Sequence, residues 1–339
     1  MRDAAEPSQN RPPNLTLHGI FAGPEGLRAG WGLLLFVLLF EISKALLYPM
    51  LMPVLPHLGH PGQGMSPARV LPLEGAGLLC AGASTWLLAR IENRRFSDYG
   101  LSDPRRLRHF VEGAIWGAVL LSALVFWLHA MGALAFDGRL LFGSAALRYA
   151  AVWLSGFVVI GFFEELLFRG YAQYTIARGV RGICVHFGVR HAAAAGFWIA
   201  ALLTSFYFGF GHGTNAGESP IGLVAAGLVG LVFCFSIWRT GSLWWAIGFH
   251  TIWDWMESFV YGLGDSGSTI QGHLLAMHPT GRPLLSGGAT GPEGSILIVP
   301  ILLLSACAVL LSPPRAGGDE SRFPYRASGP EAAEDVSLH

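Results

Sequence analysis

Three short groups of ionisable residues lie inside, or at the ends of, apolar segments of this 339-residue chain. Ionisable side chains are costly inside a bilayer, and those that occur there usually serve function. The carboxylates and imidazoles could act as general bases, proton relays or metal ligands. The groups are Glu164-Glu165-x-x-x-Arg169, Phe208-x-x-x-His212 and His250-x-x-x-Asp254.

The first group contains two adjacent carboxylates that differ in their helical neighbours. On a helix, Glu165 and Arg169 are separated by i, i+4 with the glutamate first, which is the favourable order for an ion pair. Glu164 points about 100° away, toward Phe168 one turn later. Arg169 can therefore neutralise Glu165 and leave Glu164 free for acid–base chemistry. A salt bridge at a membrane boundary would explain Glu165 and Arg169, but not a second glutamate.

The two histidine groups are weaker signals when each is taken alone. Glycines on both sides of His212 allow a close approach of backbone or substrate, although a histidine at a helix end is the simpler interpretation. His250 and Asp254 share one helix face at i, i+4. They could be a ligand pair, a proton relay or an oriented His–Asp dyad. A structural role would require both to be paired elsewhere.

The elements that must position these groups are membrane helices. The chain is 52% hydrophobic and only 13% charged, whereas a soluble domain has about 25% charged residues. A spanning helix needs about 20 mostly apolar residues. We therefore predict an all-α membrane protein, a bundle of about eight transmembrane helices with its site between helices four, five and seven. The predicted spans cover about 31–53, 72–91, 110–134, 145–168, 194–211, 221–238, 242–262 and 294–312.

Basic residues in the connections predict the orientation. Seventeen lie in segments on the side of the N-terminus and four on the other side, so both termini are expected to be cytoplasmic in a multi-pass protein of the inner or plasma membrane. Residues 1–30 are interpreted as a cytoplasmic segment, 31–312 as the membrane domain with a core at about 145–262, and 313–339 as a disordered tail. A cleavable signal peptide is not expected.

Other composition features narrow the class of partner. Zero formal net charge gives no reason to expect nucleic-acid binding. Four widely spaced cysteines, without a C-x-x-C pair, support neither a disulfide framework nor a thiolate metal site. The expected partners are the lipid bilayer and a peptide or membrane-protein substrate.

Together, the three motifs resemble those of the CPBP family, which comprises type II CAAX prenyl endopeptidases and Abi-type membrane proteases that process bacteriocins or confer immunity. The matching region runs from about Trp153 to Phe259. The resemblance implies an intramembrane endopeptidase in which Glu164 and His212 activate a water. His250 and Asp254 would then stabilise the oxyanion, with Glu165, Arg169 and Phe208 in supporting roles.

One position departs from the family pattern. Asp254 stands where the family has an Asn form, and an ionised aspartate would repel an oxyanion. Asp254 must therefore be protonated, orient His250 or bind a metal. No cofactor is the favoured expectation, with zinc held by Glu164, His212, His250 and Asp254 as the alternative. Competing functions are an inactive scaffold or immunity protein of the same fold, a proton-coupled transporter, and a haem- or quinone-binding protein.

Overall fold

The computed structural model describes residues 20–23, 26–55 and 64–315. Nine helices of eleven or more residues account for most of this part of the chain. They are α1 (Ala29–Leu51), α2 (Pro67–Ile91), α3 (Arg106–Ala130), α4 (Gly143–Glu165), α5 (Gln173–His186), α6 (Ala192–Gly211), α7 (Pro220–Thr240), α8 (Trp244–Asp254) and α9 (Ile298–Leu311). The predicted segment 1–30 and tail 313–339 lie mostly outside the described residues.

The helices confirm an all-α membrane protein with a helix in each of the eight predicted spans. Six helical segments are long and apolar enough to cross a membrane. The other two are shorter, because α9 has 14 residues and α8 has 11. A widened, π-helical turn at Trp255–Val260 extends α8.

At one end of the bundle, contacts between connections show which helices begin or end there. This end contains the start of α1 and is called the N-terminal end. Arg178 donates to the carbonyl oxygen of Leu27 at 2.8 Å and lies 3.0 Å from Glu92. Arg105 donates to the carbonyl oxygen of Pro314, just after α9, at 2.9 Å. The connections after α2 and after α9 therefore lie at the same end as the start of α1.

The remaining connections meet at the opposite end, called the distal end. Met65, before α2, bridges to Ile270 after α8. The two-residue strands β1 (Ala22–Gly23) and β2 (Gly26–Leu27) pair with each other before α1. At the distal end, strand β3 (Leu134–Arg139) pairs antiparallel with β4 (Leu275–Pro279). Asn215, after α6, donates to the carbonyl oxygen of Ser266 at 2.8 Å. The two shorter helices follow the same alternation, because α8 begins beside Gly100 in the connection after α2 and α9 ends beside Arg105.

The fourth span continues beyond its predicted end. The predicted span ends at about residue 168, yet α4 passes through a π-helical turn at Leu166–Ala172 directly into α5. Gly170 kinks this turn with ψ −109°. A charged side chain is accommodated in this helix because the Arg178 guanidinium reaches the N-terminal end and donates to Glu92 and to the Leu27 carbonyl oxygen.

Helix α8, which carries the third motif, is held against α3 by glycines. A Cβ atom at Gly113 would collide with the carbonyl oxygen of Trp245, and one at Gly117 would lie 2.7 Å from that of Phe249. Small residues four apart allow membrane helices to approach closely. Trp245, Phe249 and Trp253 stack with ring centroids 5.2 and 5.4 Å apart. This packing fixes the depth and rotation of α8, and therefore of His250.

Candidate active site

The two adjacent glutamates at the end of α4 have different surroundings. Glu165 is completely buried, and its Oε1 lies 3.1 Å from Nη1 of Arg169, itself completely buried. The i, i+4 ion pair predicted from the sequence is therefore present. The Arg169 guanidinium also lies over the Phe208 ring, 4.1 Å from its centroid, at a distance where cation–π attraction is effective. Phe208, which belongs to the second motif, therefore also contacts Arg169 of the first motif.

Glu164 is directed into a cavity instead. Its side chain keeps 22% of its surface exposed, and its nearest ionisable contact is His250, with Oε2 3.6 Å from Nε2. Within the described residues, this Oε2 accepts no hydrogen bond. One glutamate is therefore committed to structure and its neighbour is available to a ligand.

His250 connects the first and third motifs. Its Nδ1 lies 3.1 Å from Oε1 of Glu165, and its Nε2 lies 3.4 Å from Oδ2 of Asp254. The pairing of His250 and Asp254 on one helix face agrees with their spacing. The contact with Glu165 joins α8 to α4, and no local pattern in the sequence indicates it. Both ring nitrogens face carboxylate oxygens, an environment that favours N–H donors on both.

His212 reaches the same cavity from the end of α6. Its Nδ1 lies 2.7 Å from the carbonyl oxygen of Phe208. A carbonyl oxygen can only accept, so Nδ1 carries the hydrogen and Nε2 is the basic nitrogen of the neutral ring. The Phe208 ring is 6.0 Å from His250 and 5.3 Å from Phe168. The end of α6 therefore lies beside the first motif.

A cavity of about 140 Å³ brings the four predicted residues together. A volume of this size holds a few water molecules. Its walls are mostly aromatic and aliphatic, and Asn215 and Ser266 line it at the distal end. From the three motifs, the polar side chains that line the cavity are those of Glu164, His212, His250 and Asp254.

The same four residues do not form a compact metal centre in this structure. Among the described residues, their donor atoms are not a group of three or more that converge within 4.8 Å. Both His250 nitrogens face carboxylate oxygens, at 3.1 and 3.4 Å. Zinc at these four residues therefore stays the alternative expectation, and the mechanism proposed for them uses their acid–base chemistry alone.

Several polar residues at the distal side of the cavity were not identified from the sequence. Ser258, Asp265 and Glu293 line it. A carboxylate oxygen of Glu257 lies within 4.8 Å of one from Asp265 and one from Glu293. Burial, followed by the charges of Asp254 and Glu293, raises the pKa of Asp265 well above its usual range. Glu257, three residues after Asp254, could have been noticed as a further acid in the seventh span. Asp265 and Glu293 lie in Gly-rich connections without any recognisable pattern.

Residues 146–256 match the family model described as type II CAAX prenyl endopeptidase Rce1-like. This match covers about a third of the chain, including all three motifs, and confirms the resemblance to the CPBP family. Comparison with curated proteins and with solved structures gives no match.

Proposed function

We propose that this chain is an intramembrane endopeptidase in which Glu164 and His212 activate a water molecule. The observation that carries the proposal is the division of labour between two adjacent glutamates. Glu165 is buried in contact with Arg169 and His250, whereas Glu164 lines a cavity shared with His212, His250 and Asp254. The match of residues 146–256 to a prenyl endopeptidase family supports a protease-type function.

In the proposed first step, a water in the cavity lies between the Glu164 carboxylate and Nε2 of His212. The hydrogen bond from Nδ1 of His212 to the Phe208 carbonyl, 2.7 Å long, keeps Nε2 able to accept. Glu164 takes a proton from the water as the oxygen attacks the peptide carbonyl carbon. The protonated carboxyl group then donates that proton to the leaving amine, as general acid–base catalysis requires.

The proposed oxyanion site is His250 together with Asp254. His250 is held through Nδ1 by Glu165 at 3.1 Å, which directs Nε2 toward Glu164 and Asp254. A preorganised N–H donor stabilises the charge that develops in the transition state. Asp254 can add a second donor only when its carboxyl group carries a proton. Protonated Asp254 would thus perform the role that the amide has in the Asn form.

The substrate in this proposal is a peptide bond presented from the bilayer. The mostly apolar cavity walls, including Trp153, Phe157 and Val229, suit an apolar peptide segment or a lipid-modified one. The excess of basic residues in the connections of the N-terminal end supports placing that end, and both termini, in the cytoplasm.

The test is turnover of two quenched fluorescent peptides in detergent, one with a prenylated CAAX end and one an unmodified apolar segment. Glu164→Gln should reduce turnover of any cleaved peptide by about a hundredfold or more, without lowering the unfolding temperature. The matched control is Glu41→Gln, in α1, where the carboxylate is exposed and pairs with Lys44 at 3.3 Å. Full turnover by Glu164→Gln would overturn the proposal. No turnover of either peptide by the unmodified protein would favour an inactive scaffold.

A further inference from the structure

A second group of carboxylates, separate from the three motifs, lies at the distal end of the bundle. Glu257 is in the π-helical turn after α8, Asp265 is in the following connection, and Glu293 is in a short helical turn before α9. One carboxylate oxygen from each lies within 4.8 Å of the other two. Three chain segments, well separated along the sequence, therefore place anionic oxygens at one point.

The burial of Glu257 makes this group more than a cluster of surface acids. Its side chain is completely buried, and neither carboxylate oxygen accepts a hydrogen bond within the described residues. The nearby indole N–H of Trp253 donates instead to Oε1 of Glu293 at 2.8 Å. A buried carboxylate without donors costs free energy unless it is protonated or neutralised by a cation.

Among the residues that the structure describes, no basic side chain supplies that cation. In the described ranges, no Arg, Lys or His forms an ion pair with any of the three carboxylates. The other hydrogen bonds come from neutral hydroxyls, since Ser258 donates to Asp265 at 3.2 Å and Ser266 to Glu293 at 3.1 Å. These bonds orient the carboxylates without balancing their charge.

Backbone from two connections packs closely beside Glu257. A Cβ atom at Gly291 would lie 2.9 Å from Oε1 of Glu257 and would collide with the carbonyl oxygen of Gly264. Two backbone segments thus pass close to the buried carboxylate where no side chain could fit. Carboxylates, hydroxyls and carbonyls from irregular segments form the all-oxygen, flexible environment that Ca²⁺ prefers, whereas Mg²⁺ requires near-octahedral geometry.

We propose that Glu257, Asp265 and Glu293 bind a divalent cation, with Ca²⁺ preferred, at the distal wall of the cavity. Ser258, Asp265 and Glu293 also line that cavity. The cation would therefore fasten the end of α8, the connection after it and the turn before α9 into one wall. Its role is to hold the cavity closed at this end, apart from the residues assigned to the chemistry.

The experiment uses the full chain in detergent, stripped of metal and titrated with CaCl₂ or MgCl₂ by calorimetry. We expect Ca²⁺ to bind with a stoichiometry of one, to raise the unfolding temperature, and to slow cleavage of residues 261–297 by an added protease. Glu257→Gln and Asp265→Asn should each weaken Ca²⁺ binding by about tenfold or more. The matched control is Asp137→Asn, which removes an exposed distal-end acid that pairs with His278 at 2.6 Å.

The same titration is repeated in Glu164→Gln, so the result does not depend on whether the chain is a protease. Absence of Ca²⁺ binding, or binding unaffected by Glu257→Gln, would overturn the cation site. If Glu257→Gln instead raises the unfolding temperature without Ca²⁺, and Ca²⁺ has no effect on either protein, the carboxylates hold protons rather than a cation. That result would also overturn the proposal.

Discussion

Nδ1 of His250 lies 3.1 Å from Oε1 of Glu165. The same oxygen lies 3.1 Å from Nη1 of Arg169, so one buried carboxylate oxygen joins α4, the turn after it and α8. Glu165 is therefore the positioning residue for His250. Two side chains on different helices depend on this one carboxylate.

Replacement of Glu165 should lower the stability of the protein, because this residue belongs to a buried ion pair. Glu165→Gln removes the charge that balances a completely buried Arg169, and breaking such a buried pair costs about 3–5 kcal/mol. The measurement is the unfolding temperature in detergent, compared with Glu164→Gln, which should unfold like the unmodified protein. If Glu165→Gln and Arg169→Ala both unfold normally, the ion pair is not structural.

Asp254→Asn separates the two roles open to that residue. If Asp254 must donate a hydrogen bond, the amide should retain or raise turnover near neutral pH, because it donates without needing a proton. The assay is peptide turnover across pH, with and without a chelator. Loss of activity in Asp254→Asn, combined with chelator inhibition that persists in Glu257→Gln, would overturn the metal-free mechanism.

The close contact between α3 and α8 should be sensitive to a single methyl group. A Cβ at Gly117 would lie 2.7 Å from the Phe249 carbonyl oxygen, so Gly117→Ala must push α8 away. We expect a loss of about 1–3 kcal/mol of stability and lower turnover, because His250 moves with α8. The same substitution at Gly82, where nothing lies within 4 Å of the added atom, is the control. Equal unfolding temperatures for both variants would show that the contact tolerates a side chain.

The proposed orientation can be tested with topology reporters. A fusion after Arg106, at the N-terminal end, should report a cytoplasmic location, and one near Gly287, at the distal end, an external one. The physical basis is the excess of basic residues in cytoplasmic connections of membrane proteins. Reversal of both reporters would invert the assignment while leaving the alternation of the helices between the two ends intact.

Short-range spacing predicted the contacts that a single helix can make. Glu165 with Arg169, and His250 with Asp254, are each one helical turn apart, so 3.6-residue periodicity is sufficient to place them together. The contact between His250 and Glu165 crosses from α8 to α4 and depends on how closely glycines let α8 approach its neighbours. No short stretch of the sequence indicates how closely these helices approach.

Other differences arise where the backbone leaves regular α-helical geometry. The fourth span does not end near residue 168 as predicted, because α4 continues through the widened turn at Leu166–Ala172 into α5. Glu257, Asp265 and Glu293 come together only because a widened turn and two connections fold back over the end of α8. Their pairing depends on loop conformation, which hydrophobic periodicity does not encode.

The widened turn at Leu166–Ala172 begins directly after Glu165. In a regular helix each residue advances the direction of its side chain by about 100°, so a turn with an extra residue resets the phase of everything that follows. Before the turn, Glu164 faces the cavity. After it, Arg178 donates to Glu92 at the N-terminal end, 3.0 Å away. A helical wheel drawn through α4 and α5 as one helix would merge these two faces, although one continuous segment serves both by changing its phase between them.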